Sequence, residues 1–152
     1  MIRVQREDFD AQAEARALVA GNHRVGGVVT FVGLVRANAG ETAIDAMTLE
    51  HYPGMAEREL GVLVEEAKQR WRLDNVCVIH RTGELLPSDP IVFVAAASAH
   101  RADALEACTF LIDWLKTKAP FWKKETTTQG PHWVDAARAD DIRAARWEKP
   151  AN

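Results

Sequence analysis

Apolar and polar positions recur with clear periods along the chain, and these periods predict its helices and strands. Residues 2–6 alternate between apolar and polar side chains, as a half-buried strand does. Asp8 or Asp10 then offers an N-cap to an alanine-rich helix. Apolar side chains at helical spacing predict two longer helices, one over 55–71 and one over 102–118.

Four stretches between these helices have the composition of strands. β-Branched residues crowd 25–35, which predicts a strand covered on both faces. A polar loop over 36–41 follows, and alternation over 43–51 predicts a second strand that forms a hairpin with the first. The apolar runs 75–80 and 91–97 predict two further strands, the latter central in its sheet.

The C-terminal part continues with shorter elements. Strands are predicted over 121–128 and 132–134, and the charged stretch from Asp140 predicts a fraying helix or a loosely ordered tail. Helices and strands follow one another without the regular repeat of a βαβ array. This order predicts an α+β fold, and the length suits a single domain over 1–152.

Composition and charge exclude some classes of protein. The chain has a formal net charge of -3 and a sequence pI near 5.9, whereas nucleic-acid-binding proteins normally carry a basic excess. The first residues lack the apolar core of a signal peptide, and no apolar run reaches the roughly 18 residues of a membrane span. We therefore expect a cytoplasmic protein that binds neither nucleic acid nor membrane.

Thiol, metal and nucleotide chemistry has little support in the sequence. The two cysteines, Cys77 and Cys108, lie in apolar runs and form no CxxC pair, so we expect buried, reduced side chains. A persulfide-carrying cysteine is the alternative. The five histidines are far apart along the chain, and the glycine-rich, HExxH and GxSxG signatures are missing. We therefore expect neither a metal nor a cofactor.

A local cluster of cations stands out in this acidic chain. Lys116, Lys118, Lys123 and Lys124 lie within nine residues. Favourable interaction with a helix dipole, about 0.3–1 kcal/mol, accounts for the two lysines that end the predicted helix. It does not account for the other two, which follow Pro120. The cluster is thus a candidate site for an anionic ligand.

A second candidate anion site lies at the start of the same helix. His100 and Arg101 follow an apolar strand, with Ser98 as a possible cap. An arginine beside free backbone N–H groups favours anion binding, although Asp103 and Glu106 could simply neutralise it.

Another cation and two aromatic residues complete the picture. Arg36 follows the strand that carries Phe31, and Trp114 and Trp122 flank the lysine cluster. Separated cations with nearby aromatic rings are typical of a binder of a flat, phosphorylated small molecule. The residues alone do not identify a reaction.

Five motifs, in order and spacing, resemble one known family. They are 28–36 (VVTFVGLVR), 49–55 (LEHYPGM), 78–85 (VIHRTGEL), 98–101 (SAHR) and 115–125 (LKTKAPFWKKE). Together they resemble the catalytic, large subunits of molybdopterin synthase, the MoaE family, over about residues 25–135.

The resemblance implies an architecture and a reaction. The family has an α/β hammerhead-type fold with a mixed sheet and an additional small β subdomain. It forms a homodimer, and a small ubiquitin-like sulfur-carrier subunit on each protomer completes a heterotetramer. The carrier's C-terminal Gly-Gly thiocarboxylate delivers sulfur to cyclic pyranopterin monophosphate, which becomes molybdopterin. Since the partner brings the sulfur, no catalytic thiol is implied.

The resemblance also implies roles for individual residues. Lys116 and Lys123 match the catalytic lysines. The substrate-binding positions match Phe31, Leu34, Val35, Arg36, His100, Arg101, Lys124 and Glu125. Family members often carry an arginine directly after a Trp-Val-acid-Ala stretch, where it reaches across the dimer; here Arg138 falls one place later.

Two other classes of function remain open. A non-catalytic module that binds an anion or a pterin would use the same cations without turnover. A lysine enzyme that forms a Schiff base would use the same cluster differently, and borohydride trapping with a carbonyl substrate would reveal it.

Overall fold

The computed structural model describes residues 1–135 and 138–148. Its strands are β1 (Ile2–Gln5), β2 (Gly27–Leu34), β3 (Asn38–Ala39), β4 (Thr42–His51), β5 (Asn75–Arg81), β6 (Gly83–Leu85), β7 (Pro90–Ser98), β8 (Phe121–Thr127) and β9 (Gly130–Val134). Its helices are α1 (Ala11–Val19), α2 (Met55–Arg70), α3 (Arg101–Thr117) and α4 (Arg138–Ala145). Within these residues, no helix is both long and apolar enough to cross a membrane.

The larger sheet has four strands in the order β1-β5-β7-β2. β1 runs parallel to β5, and the other neighbours are antiparallel, so the sheet is mixed. Helices α2 and α3 cover one face, where Leu60 and Phe110 pack against Val94. Helix α1 covers the other face, where Leu18 packs against the cluster that contains Phe93. These layers confirm the predicted α+β class, with β7 central as expected.

The helix starts follow from local hydrogen bonds. The Asp10 carboxylate accepts hydrogen bonds from the backbone N–H groups of Gln12 (2.9 Å) and Ala13 (3.0 Å), so Asp10 is the N-cap of α1. The N-cap of α3 is His100, and Ser98, the cap suggested by the sequence, lies two residues earlier. Its hydroxyl still accepts from the His100 N–H at 3.1 Å and fixes the entry into the helix.

A second, antiparallel sheet stands beside the first. Its order is β3-β4-β8-β9, and β6 also pairs with β4. Met47, Leu49 and Leu85 form a small core of their own under this sheet, together with Val35. Gly40 forms the turn between β3 and β4 with a φ of 63°, a conformation that favours glycine.

Two predictions about β2 were wrong. It does not form a hairpin with β4, because β2 pairs with β7 in the first sheet and β4 pairs with β8 in the second. It is also not covered on both faces, because it is an edge strand and the side chains on one of its faces are exposed. Val28, Val32 and Leu34 remain 37%, 37% and 53% exposed.

The charged C-terminal stretch, described as far as Glu148, is anchored to the domain. The Asp113 carboxylate, buried in α3, accepts hydrogen bonds from Arg146 Nη2 (2.9 Å) and from the Trp147 indole N–H (2.7 Å). The Trp147 ring also packs edge-on against Phe110, with centroids 5.6 Å apart. The helix expected from Asp140 therefore exists as α4 and lies against α3.

Candidate active site

A cavity of about 400 Å³ opens where the two sheets and α3 meet. Its walls come from the end of β2, the last turns of α3, the inner face of β4 and β8, and the start of α4. The polar and charged side chains in its lining are those of Arg36, His80, Lys116, Lys123, Glu125, Asp135 and Asp140. Apolar residues, mostly from β2, β4, β7 and α3, make up the rest, so the charges face a largely apolar space.

Lys116 lies in the last turn of α3 and faces this cavity. Its side chain is exposed to solvent, but the surrounding protein atoms partly desolvate the ammonium group and thereby lower its pKa. The positive charges of Lys123 and Arg36 lower the pKa further, whereas the Asp140 carboxylate opposes them. An amine tuned in this way releases a proton more readily than an ordinary lysine, which suits acid-base or nucleophilic chemistry.

Lys123 and Glu125 form the opposite wall on β8. They are two residues apart on one strand, so both side chains face the cavity. Lys123 Nζ lies 3.2 Å from Glu125 Oε1, and His132 Nε2 lies 3.7 Å from Glu125 Oε2. Glu125 is only 3% exposed, so the ion pair holds the lysine ammonium in one place at the cavity wall.

The other two lysines of the cluster point elsewhere. Lys118 Nζ lies 3.8 Å above the ring of Trp114, and Lys124 Nζ lies 5.3 Å from the ring of Trp133. Neither residue lines the cavity. The structure therefore divides the cluster into two cations that face the cavity and two that cover aromatic rings, and the predicted substrate-binding residue Lys124 belongs to the second pair.

The predicted residues at the end of β2 are close to the lysines. Phe31, Leu34 and Arg36 line the cavity. Val35 alternates away from it and is 3% exposed in the small core with Met47. Val35 thus supports the wall from behind.

His100 and Arg101 lie far from this cavity within one chain. They begin α3, whereas Lys116 ends it, and a helical rise of 1.5 Å per residue separates Arg101 from Lys116 by roughly 22 Å. Both are exposed, and among the described residues Arg101 makes no ion pair with Asp103 or Glu106. Neutralisation by those two carboxylates, the alternative raised by the sequence, is therefore not observed.

Several lining residues were not singled out from the sequence. His80 lies near the end of β5, and its ring stacks on Phe121 with centroids 3.8 Å apart and planes at 9°. Asp140 comes from α4. His80 lies inside one of the motifs that carry the family resemblance, and this motif could have indicated it as a site residue. The position of Asp140 depends on how α4 packs, which no local sequence pattern indicates.

The thiols take no part in this site. Cys77 and Cys108 are 0% and 2% exposed, and burial raises the pKa of both, that of Cys108 to about 11. Neither lines the cavity. Within the described part of the chain, no group of three or more His, Cys, Asp or Glu side chains is arranged to hold a metal ion.

Comparison with known proteins gives consistent matches. The family described as MoaE protein matches residues 4–118. The molybdopterin synthase catalytic subunit of Ralstonia nicotianae is 52% identical over 146 residues, which cover 96% of this chain and 83% of that one. That of Pseudomonas aeruginosa is 51% identical over 148 residues, or 97% and 99% of the two chains.

A solved structure agrees with the sequence matches. The molybdopterin biosynthesis MoaE protein from Burkholderia ambifaria has a TM-score of 0.83 and 50% identity, with 97% of each chain covered. This likeness confirms the predicted hammerhead-type architecture with its second small sheet. Because matches at this identity extend over nearly the whole chain, the chain belongs to the MoaE family of molybdopterin synthase catalytic subunits, enzymes of molybdenum cofactor biosynthesis.

Proposed function

We propose that this chain transfers sulfur to cyclic pyranopterin monophosphate, taking it from the C-terminal thiocarboxylate of a small sulfur-carrier subunit. The observation that carries the proposal is the convergence of Lys116 and Lys123 on one cavity that neither cysteine lines. A site with two lysine amines but no thiol suits a reaction in which the sulfur arrives on a partner. The chain would act as a single domain in the cytoplasm, without a cofactor.

The two lysines suit different tasks in such a transfer. Lys116, with its lowered pKa, can give a proton to a leaving oxygen more readily than an ordinary lysine. Lys123, fixed by Glu125 at 3.2 Å, can stabilise the negative charge of a tetrahedral intermediate. The apolar walls contributed by Phe31 and Leu34 suit the flat pterin ring and limit the access of water.

A homodimer would explain the exposed face of β2. Among the described strands β2 is an edge of the first sheet, and Val28, Val32 and Leu34 form an exposed apolar row on one of its faces. Such an edge is an unfavourable surface for a monomer in water and is suited to pairing with another strand. We propose that β2 pairs about a two-fold axis with β2 of a second copy. One small carrier on each copy then completes a heterotetramer.

This dimer would also bring the two candidate cation sites together. Arg101 lies beside the first residue of β2, because a Cβ built on Gly27 would be 3.6 Å from the Arg101 Cα. In an antiparallel pairing, the Gly27 end of one β2 lies beside the Leu34 end of the other. His100 and Arg101 of the second copy would then reach the mouth of the cavity near Arg36. We assign substrate-phosphate binding to these three basic residues.

The function is tested by comparing Lys116→Ala with Lys118→Ala. Both lysines lie at the end of α3, but only Lys116 faces the cavity, so Lys118→Ala is a matched control for effects on the helix. Purified variants are mixed with thiocarboxylated carrier and cyclic pyranopterin monophosphate, and dithiolene product is measured. We expect Lys116→Ala to lose at least about 100-fold in turnover, the usual loss for an acid-base residue, and Lys118→Ala to remain active. Near-normal turnover by Lys116→Ala would refute the proposed role.

A Schiff-base enzyme remains the second candidate, because the lowered pKa of Lys116 also favours attack on a carbonyl. Borohydride reduction in the presence of substrate, followed by mass spectrometry of the intact chain, separates the two. A covalent adduct on Lys116 would favour the Schiff base, and an unmodified chain with full dithiolene formation would favour sulfur transfer. A non-catalytic binding module would give neither product.

A further inference from the structure

A buried histidine lines the cavity without a part in the chemistry described so far. His80 is 8% exposed and belongs to the lining of the cavity. Its ring is held in place by the face-to-face stack on Phe121. A side chain so fixed at a binding site offers its free atoms in a defined direction.

The hydrogen bond of His80 determines which nitrogen carries the proton. Nδ1 lies 2.8 Å from the backbone carbonyl oxygen of Arg81. A carbonyl oxygen can only accept, so Nδ1 must be the donor. Burial and the nearby charge of Lys116 lower the pKa of His80 to about 4, which keeps the ring neutral at physiological pH. Nε2 therefore carries a lone pair.

Nε2 is also uncommitted. Among the described residues it has no hydrogen-bond partner, and it is not among the fully buried polar atoms that lack one, so part of its surface is accessible in a residue that lines the cavity. Around it, Arg36, Lys116 and Lys123 are donors, and Glu125 is already engaged by Lys123 and by His132. His80 thus adds a neutral acceptor to a wall rich in cations.

We propose that His80 is a positioning residue that accepts, through Nε2, a hydrogen bond from an N–H group of the substrate's pterin ring. The cations would recognise the phosphate, and His80 would recognise the heterocycle and set the direction of its ring edge. A neutral acceptor suits this task because it attracts an N–H donor without neutralising the catalytic lysines. This inference rests on the proposed function, since it takes the pterin as the ligand.

The test compares His80→Phe with His80→Gln. Phenylalanine keeps a flat ring for the stack on Phe121 but has no acceptor, whereas the glutamine amide can present an oxygen near the position of Nε2. Equilibrium binding of cyclic pyranopterin monophosphate is measured without carrier, with inorganic phosphate as a second probe. Folding of each variant is checked by circular dichroism.

We expect His80→Phe to weaken pterin binding by roughly 2- to 12-fold, the range of one hydrogen bond, and to leave phosphate binding unchanged. His80→Gln should recover part of the loss, and in turnover KM should rise more than kcat falls. Equal pterin affinity in wild type and His80→Phe, or an equal loss for phosphate, would overturn the role of His80. Failure of the wild type to bind the pterin at all would instead overturn the proposed function.

Nitrogen NMR of the wild-type protein keeps the question open to refutation if both variants fold poorly. In the free protein, the His80 signals should report a protonated Nδ1 and an unprotonated Nε2. On addition of cyclic pyranopterin monophosphate, the Nε2 resonance should shift as it accepts a hydrogen bond. A protonated Nε2 in the free state, or an Nε2 signal that saturating substrate does not move, would contradict the proposal.

Discussion

Replacement of Asp113 by alanine should release the C-terminal segment from α3. The buried carboxylate accepts hydrogen bonds from Arg146 at 2.9 Å and from the Trp147 indole at 2.7 Å. Hydrogen bonds to a charged group contribute about 1.5–3 kcal/mol each. Arg146 is half exposed and regains water when the carboxylate is gone, so its share lies at the low end. We expect Asp113→Ala to lower the free energy of unfolding by about 2–4 kcal/mol.

The loss should be local as well as global. Hydrogen exchange within 138–148 should become faster in Asp113→Ala, and core amides of β5 and β7 that exchange only through global unfolding should accelerate by no more than the loss of global stability allows. Asp113→Asn is the matched control, because its amide oxygen can still accept from the Trp147 indole and should retain about half of the stabilisation. Urea denaturation gives the stability, and mass spectrometry of exchanged peptides gives its location.

The cavity should respond to the same change. Asp140 belongs to α4, and its charge raises the pKa of Lys116 against the effect of burial. Release of α4 therefore should lower the pKa of Lys116 further, which moves the alkaline limb of the turnover profile to lower pH. If Asp113→Ala stays within about 0.5 kcal/mol of wild type and leaves exchange in 138–148 unchanged, Asp113 does not anchor this segment.

Three further predictions address the dimer, the cysteines and the pH dependence. If Lys116 of one subunit and Arg101 of the other share a site, a mixture of Lys116→Ala and Arg101→Ala subunits should regain about a quarter of wild-type turnover. Half of the dimers are then mixed, and each mixed dimer holds one intact site out of two. No recovery after subunit exchange would mean that Arg101 does not act at the site of the other subunit. Cys108→Ala should cost about 1–2 kcal/mol of stability by urea denaturation but keep its activity per folded molecule, and a well-folded inactive variant would point to sulfur chemistry on this thiol. The pKa of His80 is lowered to about 4 in the folded chain. Between about pH 6.5 and 4, His80 is therefore protonated in the unfolded chain but neutral in the folded chain. Stability should fall by up to about 3 kcal/mol across this window as the pH drops, and a His80→Phe variant should lack this part of the pH dependence.

Local patterns were sufficient for the elements but not for their partners. Periodicity over 55–71 and 102–118 identified α2 and α3 because a helix makes its hydrogen bonds within one segment. Strand pairing is non-local, and proximity in sequence wrongly favoured a hairpin over 25–51, whereas β2 pairs with β7. The edge position of β2, and so its exposed apolar row, follows from that pairing and was not accessible from composition.

The candidate site was predictable in part for the same reason. Alternation along β8 would have separated Lys123, which faces inward, from Lys124, which faces outward, because this needs only the strand's period. Asp140 reaches the cavity because α4 packs against α3 and the segment after it is hydrogen-bonded to Asp113, which are contacts between distant parts of the chain. His80 was one of five scattered histidines until the sheet brought it to the cavity.

The burial of both thiols makes the native chain unreactive toward thiol reagents, which is useful experimentally. Alkylating reagents attack the thiolate, and neither Cys77 nor Cys108 offers one to solvent, since both are sealed in the core and their pKa values are raised. Iodoacetamide added to the native protein should therefore leave this subunit unlabelled. If the proposed function holds, an electrophile stops the reaction by alkylating the thiocarboxylate of the carrier. The amount of label then measures the sulfur on the carrier, because the catalytic subunit takes up none. Inhibition of the sulfur transfer by oxidants or electrophiles would then result from their reaction with the carrier, because the cysteines of the catalytic subunit do not react.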